Sequence, residues 1–318
     1  MVFVRPLLLC LVLLGCEARR PEAPDWVRSA PAAAVAAVSF RADWAMEQPR
    51  LRALMDRYPL AGRSLDLFLT RARVSLSPAT GRLTVYQFSS FQPGGTPGFL
   101  IQLTGFPDPG GLQVAIADAF ALDGSQAMDN RGHSLFLVLD LAPARIQALV
   151  DGEGRVWLGD KATLAEWAGS ALAGSALAGP AIAEPSLVDA VAWISSTAAV
   201  QGFIRPPGLL DDASGRRPGE LAGLPPGIQC VAWSVSAASA RDPFNPFELA
   251  MCGSGPAIQR VAPWLQRFLA AAGANPGGPA PAPEILQEAT RIVLRCKFSP
   301  DQVDVALARL DQPPLPFH

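Results

Sequence analysis

Short apolar runs with a two-residue rhythm, cut by proline and glycine turns, recur along this chain and point to antiparallel sheets. Residues 34–40 read as a first strand. In 71–76, Ala72, Val74 and Leu76 alternate with Arg71, Arg73 and Ser75, and a turn at 78–81 leads into 83–91. That pattern predicts a hairpin. Gly94-Gly95 then turns into 99–103, and further strands are expected at 134–141, 155–158, 200–204, 228–235 and 247–251. A closing hairpin is expected from 291–298 and 303–310, turned at 299–302.

Helical periods interleave with these strands. Pro49 opens a helix with Leu51, Leu54, Met55 and Tyr58 on one stripe, at i, i+3, i+4 and i+7. A second carries Leu112, Ala115, Ile116, Ala119 and Phe120, and Gly159-Asp160 caps a short one through Leu164 and Trp167. Leu187, Val188, Val191 and Ile194 mark another, and Val261, Leu265, Phe268 and Leu269 a helix begun by Pro256 or Pro263. A short helix is expected at Glu284. Consecutive hairpins with few helices predict an α+β fold: two modules of antiparallel sheet, helices packed on one face of each. Residues 83–121 and 228–272 both read strand, strand, amphipathic helix, which suggests a duplication.

The chain of 318 residues, 50% hydrophobic, is long enough for two such modules. The expected divisions are 1–15, a cleaved signal; 16–30, a flexible tether; 31–168, the first module; 169–186, a linker; 187–310, the second module; and 311–318, a disordered tail. The linker rests on a doubled Gly-Ser-Ala-Leu-Ala pentapeptide followed by Pro180 and Pro185. A net charge of −2 with scattered arginines provides no electrostatic footprint for nucleic acid.

The amino terminus carries an address. Arg5 precedes an apolar run at 7–14, too short to span a bilayer, which takes about 20 residues. The segment Leu13-Leu14-Gly15-Cys16 that ends it resembles the lipobox of bacterial lipoproteins. The resemblance implies cleavage before Cys16, lipid on its thiol, and a membrane anchor. Glu17 follows, rather than the aspartate that in enteric bacteria favours inner-membrane retention, so the resemblance implies an outer-membrane site facing the periplasm. The body resembles bacterial envelope proteins built from paired α+β modules, in which a strand ending in Gly-Asp precedes a helix, as in Val156-Trp157-Leu158-Gly159-Asp160. That likeness implies no particular activity.

Catalytic signals are sparse. Only His133 and His318 are histidines, and neither has the partners of a zinc site or a Ser-His-Asp triad. Ser254, in Cys252-Gly253-Ser254-Gly255, lacks the spacing of a nucleophile elbow and reads as a helix cap. Asp211, Asp212 and Glu220 share a loop with Arg216 and Arg217 and read as solvated ion pairs. Asp108, Asp118, Asp123 and Asp129 lack calcium-loop spacing. No catalytic residue, metal site or cofactor is expected.

Of five cysteines, the lipobox resemblance implies that Cys10 leaves with the signal and that Cys16 takes lipid. Cys230 and Cys252 fall opposite one another if 228–235 pairs with 247–253, as a disulfide or as two reduced core thiols. Cys296 alternates with Ile292, Leu294 and Phe298 and reads as a buried thiol. The expectation for function is a non-enzymatic envelope lipoprotein that meets a protein partner through its surfaces. The alternatives are a periplasmic binder of an apolar ligand and an envelope hydrolase using loop carboxylates.

Overall fold

The computed structural model describes residues 24–31, 34–47, 69–78, 80–88, 99–120, 126–128, 134–141, 144–151, 153–160, 163–164, 185–205, 227–239, 242–271, 282–299 and 302. One antiparallel sheet of 12 strands organises them. Its strands are β1 (Ala34–Arg41), β2 (Arg82–Phe88), β3 (Phe99–Thr104), β4 (Gln126–Met128), β5 (Ser134–Leu141) and β6 (Ala144–Val150). The others are β7 (Val156–Asp160), β8 (Val200–Ile204), β9 (Ile228–Val235), β10 (Asn245–Gly253), β11 (Glu284–Gln287) and β12 (Arg291–Phe298). Their order across the sheet is β11-β12-β10-β9-β8-β1-β2-β3-β7-β6-β5-β4. The two expected modules therefore share one sheet, joined where β1 pairs with β8.

The helices whose full length falls among the described residues are α1 (Asp25–Arg28), α2 (Ala42–Glu47), α3 (Pro109–Phe120), α4 (Pro185–Ala192) and α5 (Gly255–Ala271). Local chemistry starts them where sequence rules place starts. The Asp108 carboxylate accepts from the Gly111 backbone N–H at 2.9 Å, and Pro109 fills the first helical position. Helix α5 begins at Gly255 with Pro256 in its first turn, and Pro263 lies inside it. No helix among the described residues is long and apolar enough to cross a membrane.

Helices lie on both faces of the sheet rather than on the one expected. Successive strand residues point to opposite sides. On one face, Tyr86, Leu100, Trp157, Phe203, Cys230 and Val293 form a core with Trp26 and Val27 of α1 and with Leu187, Ala190 and Val191 of α4. On the other, Leu83, Ile101, Leu103 and Val156 pack on Leu112 and Ile116 of α3. Ile292, Leu294 and Met251 pack there on Ile258, Val261 and Leu265 of α5. Burial on both faces explains why central strands such as β8 (Val-Gln-Gly-Phe-Ile) are buried at four of five positions.

Three further expectations are corrected. Residues 71–76 are not a strand: 69–72 are helical, and the helix ends in a Schellman turn. There the N–H of Val74 donates to Leu69 (3.1 Å) and that of Arg73 to Thr70 (3.2 Å), with Arg73 at φ 53°. The apolar positions are still used, since Ala72 is buried and Leu69, Val74 and Leu76 pack on the α3 core. Glu284 begins strand β11, not a helix. Four residues gain little from one helical turn, whereas extended they pair with β12 from Glu284↔Arg295 to Gln287↔Ile292. Finally, the tether reaches less far than residue 30. Trp26 and Val27 are 2% and 0% exposed, so the segment from Asp25 on belongs to the core.

Strands β4 and β6 add to the expected set. The helix at 49–58, the linker repeat, the loop 206–226, the strand 303–310 and the tail 311–318 lie outside the described residues, as does Trp167.

Candidate functional site

The sheet carries a row of polar side chains directly across its strands, on the face covered by α1 and α4. Gln102 (β3) pairs with Thr84 (β2), Thr84 with Ser39 (β1), and Ser39 with Gln201 (β8). Gln201 pairs with Ser234 (β9), Ser234 with Glu248 (β10), Glu248 with Arg295 (β12), and Arg295 with Glu284 (β11). With neighbouring strands about 4.8 Å apart, such a row extends over roughly 30 Å. The five neutral members, Gln102, Thr84, Ser39, Gln201 and Ser234, are each at most 1% exposed. The charged members are progressively more open towards β11, with side chains 20%, 40% and 57% exposed for Glu248, Arg295 and Glu284.

Buried polar groups must find partners, and most of these do. Gln201 is the hub. Its Oε1 accepts from Trp26 Nε1 (2.8 Å) and Arg82 Nη2 (3.1 Å), while its Nε2 donates to the Ser195 carbonyl (2.5 Å). Arg82 Nη2 also donates to the Ala198 carbonyl at 2.9 Å. Thr84 Oγ1 donates to Ser39 Oγ (2.9 Å). Gln102 Nε2 donates to Ser29 Oγ (2.8 Å), and Tyr86 Oη donates to the Trp26 carbonyl (2.6 Å). Glu248 Oε2 accepts from the Ser195 N–H (2.5 Å) and Ser234 Oγ (3.1 Å), and its Oε1 faces Arg295 Nε at 3.3 Å. Aromatic stacking frames the row: Trp26 lies on Phe203 and Tyr86 on Trp157, both at 5.8 Å between centroids.

Two titratable groups flank the buried part of the row, Tyr86 and Arg82. Burial pushes the Tyr86 phenol well above its usual value, against smaller opposing effects of Ser29 and Arg155. Burial lowers the Arg82 guanidinium, helped by Arg41 directly across the strand pair. The row joins amides, hydroxyls, a guanidinium and two carboxylates. Its one hydroxyl–carboxylate contact, Ser234 Oγ to Glu248 Oε2, is shared with the Ser195 N–H, and Ser234 is 1% exposed, closed to a substrate. The row's hydrogen bonds tie α1 to the sheet through Trp26 and Ser29, and the turn after α4 through Ser195. Among the described residues, no three His, Cys, Asp or Glu side chains group as a metal site.

The candidate residues named from sequence are scattered. Ser254 immediately precedes α5, exposed, its carbonyl accepting the Ile258 N–H at 3.0 Å. Asp108 caps α3, and Asp118 lies exposed on that helix. Cys296 is buried among the α5 core, where burial pushes its thiol up to about 12. Cys230 and Cys252 are cross-strand partners, as expected, and both are thiols in the structure. His133, His318, Asp123, Asp129, Asp211, Asp212, Glu220 and Cys16 lie outside the described residues. The sequence carries a signal for the polar row: Gln102 and Gln201 interrupt short, largely apolar runs, Phe-Leu-Ile-Gln-Leu and Val-Gln-Gly-Phe-Ile.

Compared with protein-family models, with curated proteins and with solved structures, the chain matches none of them.

Proposed function

We propose that this chain is a lipid-anchored protein of the bacterial envelope, held by Cys16 and facing the periplasm, whose body engages an envelope partner rather than catalysing a reaction. The observation that carries the reading is Leu13-Leu14-Gly15-Cys16, behind a short apolar run and Arg5. Several acyl groups on one amino terminus give durable attachment, because each buried methylene contributes about 0.8 kcal/mol. Only residues 17–24 then separate the lipid from α1, and an extended chain covers about 3.5 Å per residue. The body would sit within about 30 Å of the bilayer.

The sheet order supports the further reading that one unit is used twice. Outward from the central pair, one half runs β1-β2-β3-β7-β6 before adding β5 and β4, and the other runs β8-β9-β10-β12-β11. Each half inserts a long helix after its third strand, α3 after β3 and α5 after β10, before the strand that pairs beside it. A twofold relation of this kind would present two like surfaces to a partner.

Growth of a bacterium expressing the full chain with an alkyne fatty acid tests the anchor. Label should appear on the wild type, vanish in Cys16→Ser, and remain in Cys10→Ser. An unlabelled wild type, or label retained in Cys16→Ser, would overturn the reading.

A further inference from the structure

We infer that Cys230 and Cys252 are the two halves of a cross-strand disulfide, closed by thiol–disulfide exchange when the chain folds in an oxidising compartment. The geometry carries it. The two residues are Cα partners in the β9–β10 ladder and point to the same face, both in the core beneath α4. Exposures of 0% and 7% leave them no solvent between. The Ser236 N–H donates to the Pro246 carbonyl at 2.9 Å, which makes that pair a hydrogen-bonded one. Hydrogen-bonded pairs recur at every second position, so Cys230↔Cys252 is also one. Its Cα atoms are then about 5.5 Å apart, inside the range of about 4.4–6.8 Å that a disulfide spans, while the Cβ atoms, about 5 Å apart in such a pair, draw together by about 1 Å as the bond closes.

Cys296 cannot compete. It pairs with Phe247 and faces the opposite side of the sheet, in the α5 core. The order of events follows from burial. In the folded protein burial pushes the Cys252 thiol up to about 11, with Asp189 adding to the effect and Arg291 opposing it. Thiolate is the attacking species, so exchange takes place before α4 closes over the pair. One cysteine thiolate attacks a glutathione or protein disulfide, displacing one thiolate and leaving a mixed disulfide. The second cysteine thiolate attacks the first cysteine's sulfur and displaces the other. Two electrons and two protons leave the pair, and the oxidant becomes two thiols.

The location in an oxidising compartment rests on the proposed envelope address, but the pairing does not, and the test separates them. The full chain made in a bacterium is acid-quenched, denatured and alkylated without reductant, then digested and read by mass spectrometry. The same protein, purified, reduced and unfolded, is refolded in a glutathione–glutathione disulfide buffer and read identically. The pairing predicts, in the refolding arm, a peptide pair joined through Cys230 and Cys252, lighter by two hydrogens, with Cys296 alkylated. The joined pair should persist in Cys296→Ser and be lost in Cys230→Ser, whose Cys252 becomes alkylated. A refolded protein with both cysteines alkylated, or bridged through Cys296, overturns the pairing. A bridge on refolding but thiols in the cell supports the pairing and overturns the oxidising location.

Discussion

Gln201 offers a measurement of how much the polar seam contributes to holding α1 on the sheet. Replacement by leucine keeps the volume close while removing two acceptor contacts and one donor contact. The Trp26 Nε1–H loses its 2.8 Å acceptor in a site where Trp26 is 2% exposed. A buried donor left unmet costs about 1–3 kcal/mol. The Ser195 carbonyl loses its donor but is only half-buried, and Arg82 Nη2 keeps Ala198, so these add about 1 kcal/mol. Gln201→Leu should therefore cost about 3 kcal/mol. Trp26→Phe removes the donor itself, leaves Gln201 Oε1 with Arg82, and should cost about 1–2 kcal/mol. Once Trp26 is phenylalanine, Gln201→Leu strands no indole N–H. The double variant should thus be more stable than the sum of single losses by about 1.5 kcal/mol. Equilibrium urea unfolding, followed by far-ultraviolet circular dichroism because a tryptophan is altered, reads the four proteins. Additivity within about 0.5 kcal/mol would refute the contact, and with it the seating of α1 through the seam.

Three further outcomes follow from other sites. A methyl group at Gly202 would stand 2.5 Å from Trp233 ring atoms, so Gly202→Ala should cost about 1–3 kcal/mol, much of it recovered by Trp233→Leu, as thermal unfolding would show. In the reduced protein, burial raises Cys252 and Cys296 from 9.0 to about 11 and about 12. Stability is then full below the unfolded value and falls as pH rises from 9.0 through those folded values, because only the unfolded thiols ionise. Urea midpoints measured across that window should drop less in a Cys252→Ser, Cys296→Ser double variant. The Arg41 guanidinium bound to Asp43 holds that carboxyl below its usual 3.8, with burial opposing and the Trp44 N–H assisting. Its contribution is present above 3.8 and is lost as pH falls through the lower folded value, which carboxyl NMR titration of the folded protein checks against Asp43→Asn.

Strands buried on both faces were the most legible part of the sequence. Runs such as 99–103 and 200–204 are apolar at all but one or two positions, are buried on both faces, and read as extended from composition alone. Short or mixed elements were not legible. The segment 284–287 becomes a strand only because β12 offers it an edge, and that edge is a tertiary fact. The alternation at 71–76 was real, but it served a helix end and a coil on the α3 core, where the burial period resembles that of a strand. The polar row was hidden by the rule that equates polar strand positions with solvent. Ser39, Thr84 and Gln201 are covered because α1, nearly at the proposed lipid site, and α4, far along the chain, meet on one face. No local window contains both.

Strand β1 has a consequence for how the protein is made. Phe40 meets Leu83 on one edge and Val200 on the other. Synthesis runs from the amino terminus, so the first edge can be paired early, while the second waits for most of the chain. During that interval the row of backbone groups along 36–40 stands open, beside the largely apolar Ala36-Ala37-Val38. An unpaired edge in a half-made sheet is a template for another chain, and pairings this distant in sequence close slowly. Defects in β8 should therefore appear in a cell first as aggregation of young chains, even where the finished protein is stable enough to survive them.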